Sequence, residues 1–84
     1  MAPEAPRFVL YSRAGCGLCE EMLSELVALA GVQPGAIDVL DVDADPAARA
    51  RYGHKIPVLL FAGQLVCHGR LDIAEVHKTL ACHR

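Results

Sequence analysis

The sequence predicts an α/β domain, a mixed four-stranded sheet flanked by three helices in the order β-α-β-α-β-β-α. Three observations carry this. Short apolar runs rich in β-favouring residues alternate with stretches whose apolar residues recur at helical spacing. The first two runs are separated by a full helical stretch, which argues for a parallel crossover. The last two are separated only by a tight turn, which makes them antiparallel.

The elements follow in order. Residues 1–6, MAPEAP, read as a flexible, proline-bearing tail, which leaves 7–82 as a single domain. RFVLYS (7–12) is the first strand. SRAG interrupts it. From Cys16 onward Leu18, Met22, Leu26 and Leu29 repeat at helical spacing, joined by Cys19, Leu23 and Ala30. Glu20, Glu21, Ser24 and Glu25 fall largely on the other side. Gly31 suits the end of this helix, because it takes positive φ without a Cβ clash. VQPG is a turn, and AIDVLDVD (36–43) is the second strand. Asp45 then Pro46 marks a helix start, a capping side chain before a ring pre-set for the first turn. That short helix runs through Tyr52 and Gly53 stops it. KIPVLLF (55–61) is nearly all apolar, so a strand covered on both faces is expected. AG or GQ turns the chain into QLVCH (64–68), the fourth strand. Asp72 and Glu75 give a D-x-x-E start to a last helix, whose apolar face is Ile73, Val76 and Leu80.

Composition narrows the function. A chain of 84 residues holds one core. Folding at that size buries roughly 60–65% of the unfolded surface and yields of order 5 kcal/mol. The net charge is −2, with no basic cluster for nucleic acid and no acidic run. MAPEAP lacks the basic start and apolar stretch of a leader, and no apolar run approaches the roughly 20 residues of a membrane span. A cytoplasmic monomer without nucleic-acid or membrane partners is expected. The cysteines are Cys16, Cys19, Cys67 and Cys82. A cytosolic chain more often uses a close pair for metal or redox work than for a structural bridge.

That pair sits in YSRAGCGLCEEML (11–23), after a strand and at a helix start. Spacing of i and i+3 on a first turn suits a disulfide, whose Cα atoms lie about 4.4–6.8 Å apart. A helix N-terminus favours thiolate over thiol, and cysteines so placed titrate at about 3.5–7 against about 8.5 when free. Cys16 gains most, and the thiolate is the attacking species. Arg13 adds positive charge, while Glu20 and Glu21 oppose it. Cys19, one turn further in, is the less exposed, resolving thiol. Two readings stand beside this one. The cysteines can be plain core residues, or half of a zinc site completed by Cys67-His68 and Cys82-His83.

Other residues draw no function. Asp43, after Asp41 at a strand end, reads as a solvated or capping carboxylate. His54, Lys55 and His68 read as exposed loop residues, Cys67 as a small core hydrophobe and Cys82 as an exposed thiol. Phe8, Tyr11, Tyr52 and Phe61 are too few and scattered to stack bases, so they are assigned to the core.

A strand, CGLC, a helix and a later IPVLLF resemble the thioredoxin-like fold, and within it the glutaredoxin-like group of small bacterial proteins. FVLYSRAGCGLC resembles the glutaredoxin opening, and RYGHKIPVLLFAGQLV the thioredoxin stretch around its cis-proline. The resemblance covers about residues 7–82. It implies that Ile56–Pro57 is a cis peptide, which costs only about 0.5–1 kcal/mol before proline. The alternative is that Pro57 merely starts an edge strand. It also implies that Pro57 packs beside the attacking cysteine and that the Ile56 backbone pairs with an extended substrate. Arg13, Gly69 and Asp72 fall where glutaredoxins hold glutathione. Gly15 replaces the tryptophan of thioredoxins. Gly17-Leu18 is the central dipeptide of neither subgroup. In HGRLDI, His68 and Leu71 replace a glycine and an acid.

The expected function is thiol–disulfide exchange, with Cys16 as nucleophile and Cys19 as resolving thiol. Protein or glutathione disulfides are the partners. No cofactor is required, and glutathione is an optional co-substrate. No metal ligand is assigned. An iron–sulfur or metal carrier, and a redox-inactive interaction module, are the alternatives on the same fold.

Overall fold

A computed structural model describes residues 7–82; the tail expected over residues 1–6 lies outside them. Strands β1 (Phe8–Ser12), β2 (Ile37–Asp41), β3 (Val58–Phe61) and β4 (Gln64–His68) form one sheet in the order β2-β1-β3-β4. β1 and β2 are parallel, as a strand–helix–strand unit requires. β3 runs antiparallel to both β1 and β4. The helices are α1 (Gly17–Ala28), which crosses from β1 to β2, α2 (Pro46–Tyr52) and α3 (Ile73–Cys82). The expected element order is therefore present in full.

The core lies between one sheet face and helices α1 and α3. Phe8 and Leu10 of β1, Leu59 and Phe61 of β3, and Ile37 of β2 meet Met22 and Leu26 of α1 and Val76 of α3. The Phe8 and Phe61 rings lie 4.6 Å apart at its centre. Successive strand residues point to opposite faces, so Tyr11 turns to the other side of the sheet. There it stacks on Tyr52 of α2 at 5.4 Å. Both tyrosines are half-buried, not core as the sequence reading assigned them. A ring with a polar tip gains from packing one face and wetting the hydroxyl.

Helix α1 is rotated from the stripe expected of it. Cys19, Met22 and Leu26 are buried, whereas Leu18 and Leu29 are 52% and 57% exposed. All five residues fall within one broad apolar arc, and the sheet covers only part of it. The helix ends as anticipated: Gly31 takes φ +72°, and the Val32 N–H turns back to the Leu26 carbonyl at 3.1 Å. The side chains of Asp45 and Asp72 cap the next two helices, accepting from the N–H of Ala47 at 3.0 Å and of Glu75 at 3.1 Å.

Two strands are shorter than their apolar runs. β2 was expected to reach Asp43 but stops at Asp41, whose side chain accepts the Asp43 N–H at 2.9 Å. This bends the chain into a 3-10 turn over Val42–Ala44 and drives Val42 to full burial. β3 was expected from Lys55 but starts at Val58. The Lys55 N–H is used in a turn to the Tyr52 carbonyl at 2.8 Å, and Pro57 has no N–H to offer a ladder.

Ala62 and Gly63 make the two-residue turn between β3 and β4, with φ of 51° and 80°. Positive φ at both positions is the type I′ geometry, which favours Asn-Gly. Alanine there carries a Cβ clash of roughly 1 kcal/mol. Ala62→Asn is therefore expected to stabilise the domain by about 0.5–1 kcal/mol, read as a rise of a few degrees in Tm.

Candidate functional site

The turn between β1 and α1 sets the first cysteine. The Cys16 N–H donates to the Arg13 carbonyl at 3.1 Å, which closes the turn. Cys16 then adopts extended dihedrals (φ −86°, ψ 103°) and serves as the N-cap of α1. Its Sγ accepts the Cys19 N–H at 3.2 Å, in place of the usual oxygen cap. Cys19 lies one turn on, with its Cα 5.3 Å from that of Cys16 and its sulfur joined to the Cys16 sulfur as a disulfide. Cys16 is half-buried and Cys19 is 2% exposed. Cys16 is thus the less buried of the two residues, the order expected of an attacking and a resolving thiol.

Around this pair the other candidate residues divide. The Ile56–Pro57 bond is cis, Ile56 is half-buried and Pro57 is buried. The Gly69 N–H donates to the Pro57 carbonyl at 2.8 Å, so these two candidates are joined directly. Gly69 sits at φ +77°, a conformation suited to glycine, and opens the turn from β4 to α3. A groove of about 220 Å³ separates that turn from α1, lined by Leu18, Glu21, Met22, Glu25, Gly69, Arg70 and Leu71. Leu18 belongs to the C-x-x-C segment itself, so the groove starts at the cysteine motif. Asp72 does not line it. Its carboxylate caps α3 instead.

Arg13 is engaged elsewhere. Its Nε lies 2.6 Å and its second guanidinium nitrogen 2.9 Å from the two carboxylate oxygens of Asp43. The hydrogen bonds from Arg13 hold the Asp43 carboxyl below its ordinary range, and Asp43 raises the guanidinium in turn. In the sequence alone Asp43 reads as a solvated or capping carboxylate. The contact spans 30 residues and is created by β-sheet register. Ser12 of β1 pairs with Asp41 of β2, so the segments leaving the two parallel strands emerge side by side. Glu21, Glu25 and Arg70 were likewise not assigned to a site, because only the packing of α1 against the β4–α3 turn brings them together.

The other thiols stand apart. Cys67, on β4, is half-buried, and burial pushes its thiol up. Cys82, at the end of α3, is exposed. Among the described residues no group of three or more His, Cys, Asp or Glu side chains is gathered to hold a metal ion. Nor is any helix among them long and apolar enough to cross a membrane.

A family model described as Glutaredoxin-like domain (DUF836) matches residues 7–81. The uncharacterized proteins Rv0508 of Mycobacterium tuberculosis and Mb0520 of Mycobacterium bovis are each 40% identical over 82 residues, covering 90% of this chain and 84% of theirs. The solution structure of protein Ne2328 from Nitrosomonas europaea is similar at TM-score 0.78 and 28% identity, over 94% of this chain and 95% of that one. The X-ray structure of protein XcR50 from X. campestris is similar at TM-score 0.70 and 27% identity, over 92% and 99%.

Proposed function

This chain belongs to the glutaredoxin-like family with its thioredoxin-like fold, and from that premise we propose that it is a thiol–disulfide oxidoreductase. The observation that carries the reading is the placement of Cys16 and Cys19. One caps a helix with its sulfur in a backbone N–H bond; the other is buried one turn behind, at bonding distance.

The chemistry starts from the reduced pair. The Cys16 thiol loses its proton to solvent, and the thiolate keeps the Cys19 N–H as a hydrogen-bond donor and the positive end of α1 behind it. It attacks one sulfur of a partner disulfide. The new Cys16–partner bond forms as the partner's S–S bond breaks, and the first partner thiolate leaves and takes up a proton. The Cys19 thiol then gives up its proton as it attacks the Cys16 sulfur, and the second partner thiolate is expelled and takes up that proton. Two electrons pass from the dithiol to the partner, and the Cys16–Cys19 disulfide remains. A low-molecular-weight thiol such as glutathione, or a partner dithiol, returns the electrons.

Ile56 and Pro57 offer the backbone wall against which an extended partner lies. The groove from Leu18 to Gly69 receives its flanking residue. Arg13 meets a partner carboxylate in competition with Asp43. No cofactor is needed for these steps. The partners are disulfides of proteins or of glutathione, met in the cytoplasm by a monomer.

The test is a redox titration in glutathione buffers, acid-quenched, alkylated and weighed as intact protein. The expected result is a reversible two-thiol step between about −180 and −270 mV, the range of working disulfide carriers. Absence of any step across that range would remove the assignment. A brown protein after anaerobic purification would replace it with iron–sulfur carriage.

A further inference from the structure

We propose that Asp43 is a specificity-determining residue of the Cys16–Cys19 site: by holding Arg13 in a two-point ion pair, it disfavours partners that carry a carboxylate beside their disulfide. This rests on the thiol-exchange reading and adds to it the charge class of the partner.

Arg13 is the only cation in the turn from β1 into α1, and its own carbonyl holds the Cys16 N–H at 3.1 Å. A disulfide reaching Cys16 passes this turn. Asp43 occupies the Nε edge of the guanidinium with both carboxylate oxygens, at 2.6 and 2.9 Å, and neutralises its charge. The aspartate is itself set in place, because its N–H is bound by the Asp41 side chain at 2.9 Å. An incoming carboxylate therefore meets a guanidinium already neutralised by a tethered one, which competes for the Nε edge at the high effective concentration of an intramolecular group. The other charges facing the partner do not restore an anion site. Glu20 stands in the first turn of α1, and Glu21 and Glu25 share the groove with Arg70. Lys55 lies exposed just before Ile56. The pair is also open to solvent, with side chains 41% and 38% exposed. The device is thus a modest bias on partner choice and not a block.

The experiment measures exchange rates of the reduced protein with three small disulfides. Cystamine is cationic, hydroxyethyl disulfide is neutral and dithiodipropionate is anionic. The quantity read is the anionic-to-cationic rate ratio of a variant relative to the native chain, so the intrinsic reactivity of each disulfide cancels. Asp43→Asn is expected to raise that ratio about fivefold, the effect of one freed charge near the surface. In an Arg13→Gln background the same change is expected to give at most about a twofold shift, because Arg49 is the one cation still acting on Asp43 and it acts through charge alone, without a hydrogen bond. High salt should compress the fivefold shift toward unity. An unchanged ratio in Asp43→Asn overturns the proposal. So does an equal shift in both backgrounds, which would assign the effect to the bare charge of Asp43. Loss of exchange with the neutral disulfide in Asp43→Asn also overturns it, by making the pair a prop for the turn. If the native chain exchanges with none of the three, the oxidoreductase reading itself falls and this inference with it.

Discussion

Cys16→Ser is expected to abolish disulfide exchange, a loss of at least about a thousandfold, because Cys16 alone among the described cysteines is the N-cap of a helix, and Cys67, which also has a backbone donor, is pushed toward the thiol by burial. Unfolding does not explain such a loss. Serine is among the preferred N-cap residues, and its hydroxyl can accept the Cys19 N–H that the sulfur now accepts. Cys19→Ser has a different expected outcome. The first attack proceeds, and the mixed disulfide on Cys16 persists because the buried resolving thiol is gone. Intact mass after exposure to glutathione disulfide should show a single glutathione adduct on Cys19→Ser and none on Cys16→Ser at neutral pH. Cys82 is exposed and Cys67 half-buried, and both are free thiols able to obscure this result, so both variants are made in a Cys67→Ala, Cys82→Ser background. Full reducing activity in both serine variants would end the assignment of the pair as the redox centre. An adduct that persists on Cys16 of the native pair would point to monothiol chemistry instead.

Most of the site was readable in one dimension because its parts are local. A cap residue, its helix and a partner one turn later are fixed by adjacent sequence, so Cys16 and Cys19 could be placed and ranked before any fold was known. Asp45-Pro46 and the D-x-x-E at Asp72 worked for the same reason, since each capping contact spans only two or three residues. What escaped depends on tertiary register. Arg13 was assigned an open role because its partner lies 30 residues away and meets it only through the parallel pairing of β1 with β2. The ends of β2 and β3 escaped for another reason. Their apolar runs continue past the ladder, but an Asp41 side-chain bond in one case and Pro57 in the other remove the strand hydrogen bonds. Apolar pattern reports burial, and Val42 is buried without being in a strand.

The rotation of α1 makes a sharper test of what holds the site in place. Leu26 lies in α1 and Leu29 is its C-cap three residues on, and the two belong to the same apolar stripe in the sequence. Leu26 is 0% exposed and sits in the core with Phe8, Leu10, Ile37 and Leu59. Leu29 is 57% exposed. Leu26→Ala removes buried methyl groups and leaves a cavity that the packed sheet face fills only in part, at a cost of about 3–4 kcal/mol. A domain of this size has only about 5–10 kcal/mol to lose. The expected fall in Tm is therefore about 15–25 °C, with the urea midpoint down by about 2–3 M. Leu29→Ala is expected to cost less than about 0.5 kcal/mol, since its side chain already meets water. Equal losses for the two substitutions would mean that α1 packs along the full stripe and not along Cys19, Met22 and Leu26. In that case Leu18 and Leu29 would share the core with Cys19, and the burial of Cys19 would no longer set it apart from the rest of the stripe.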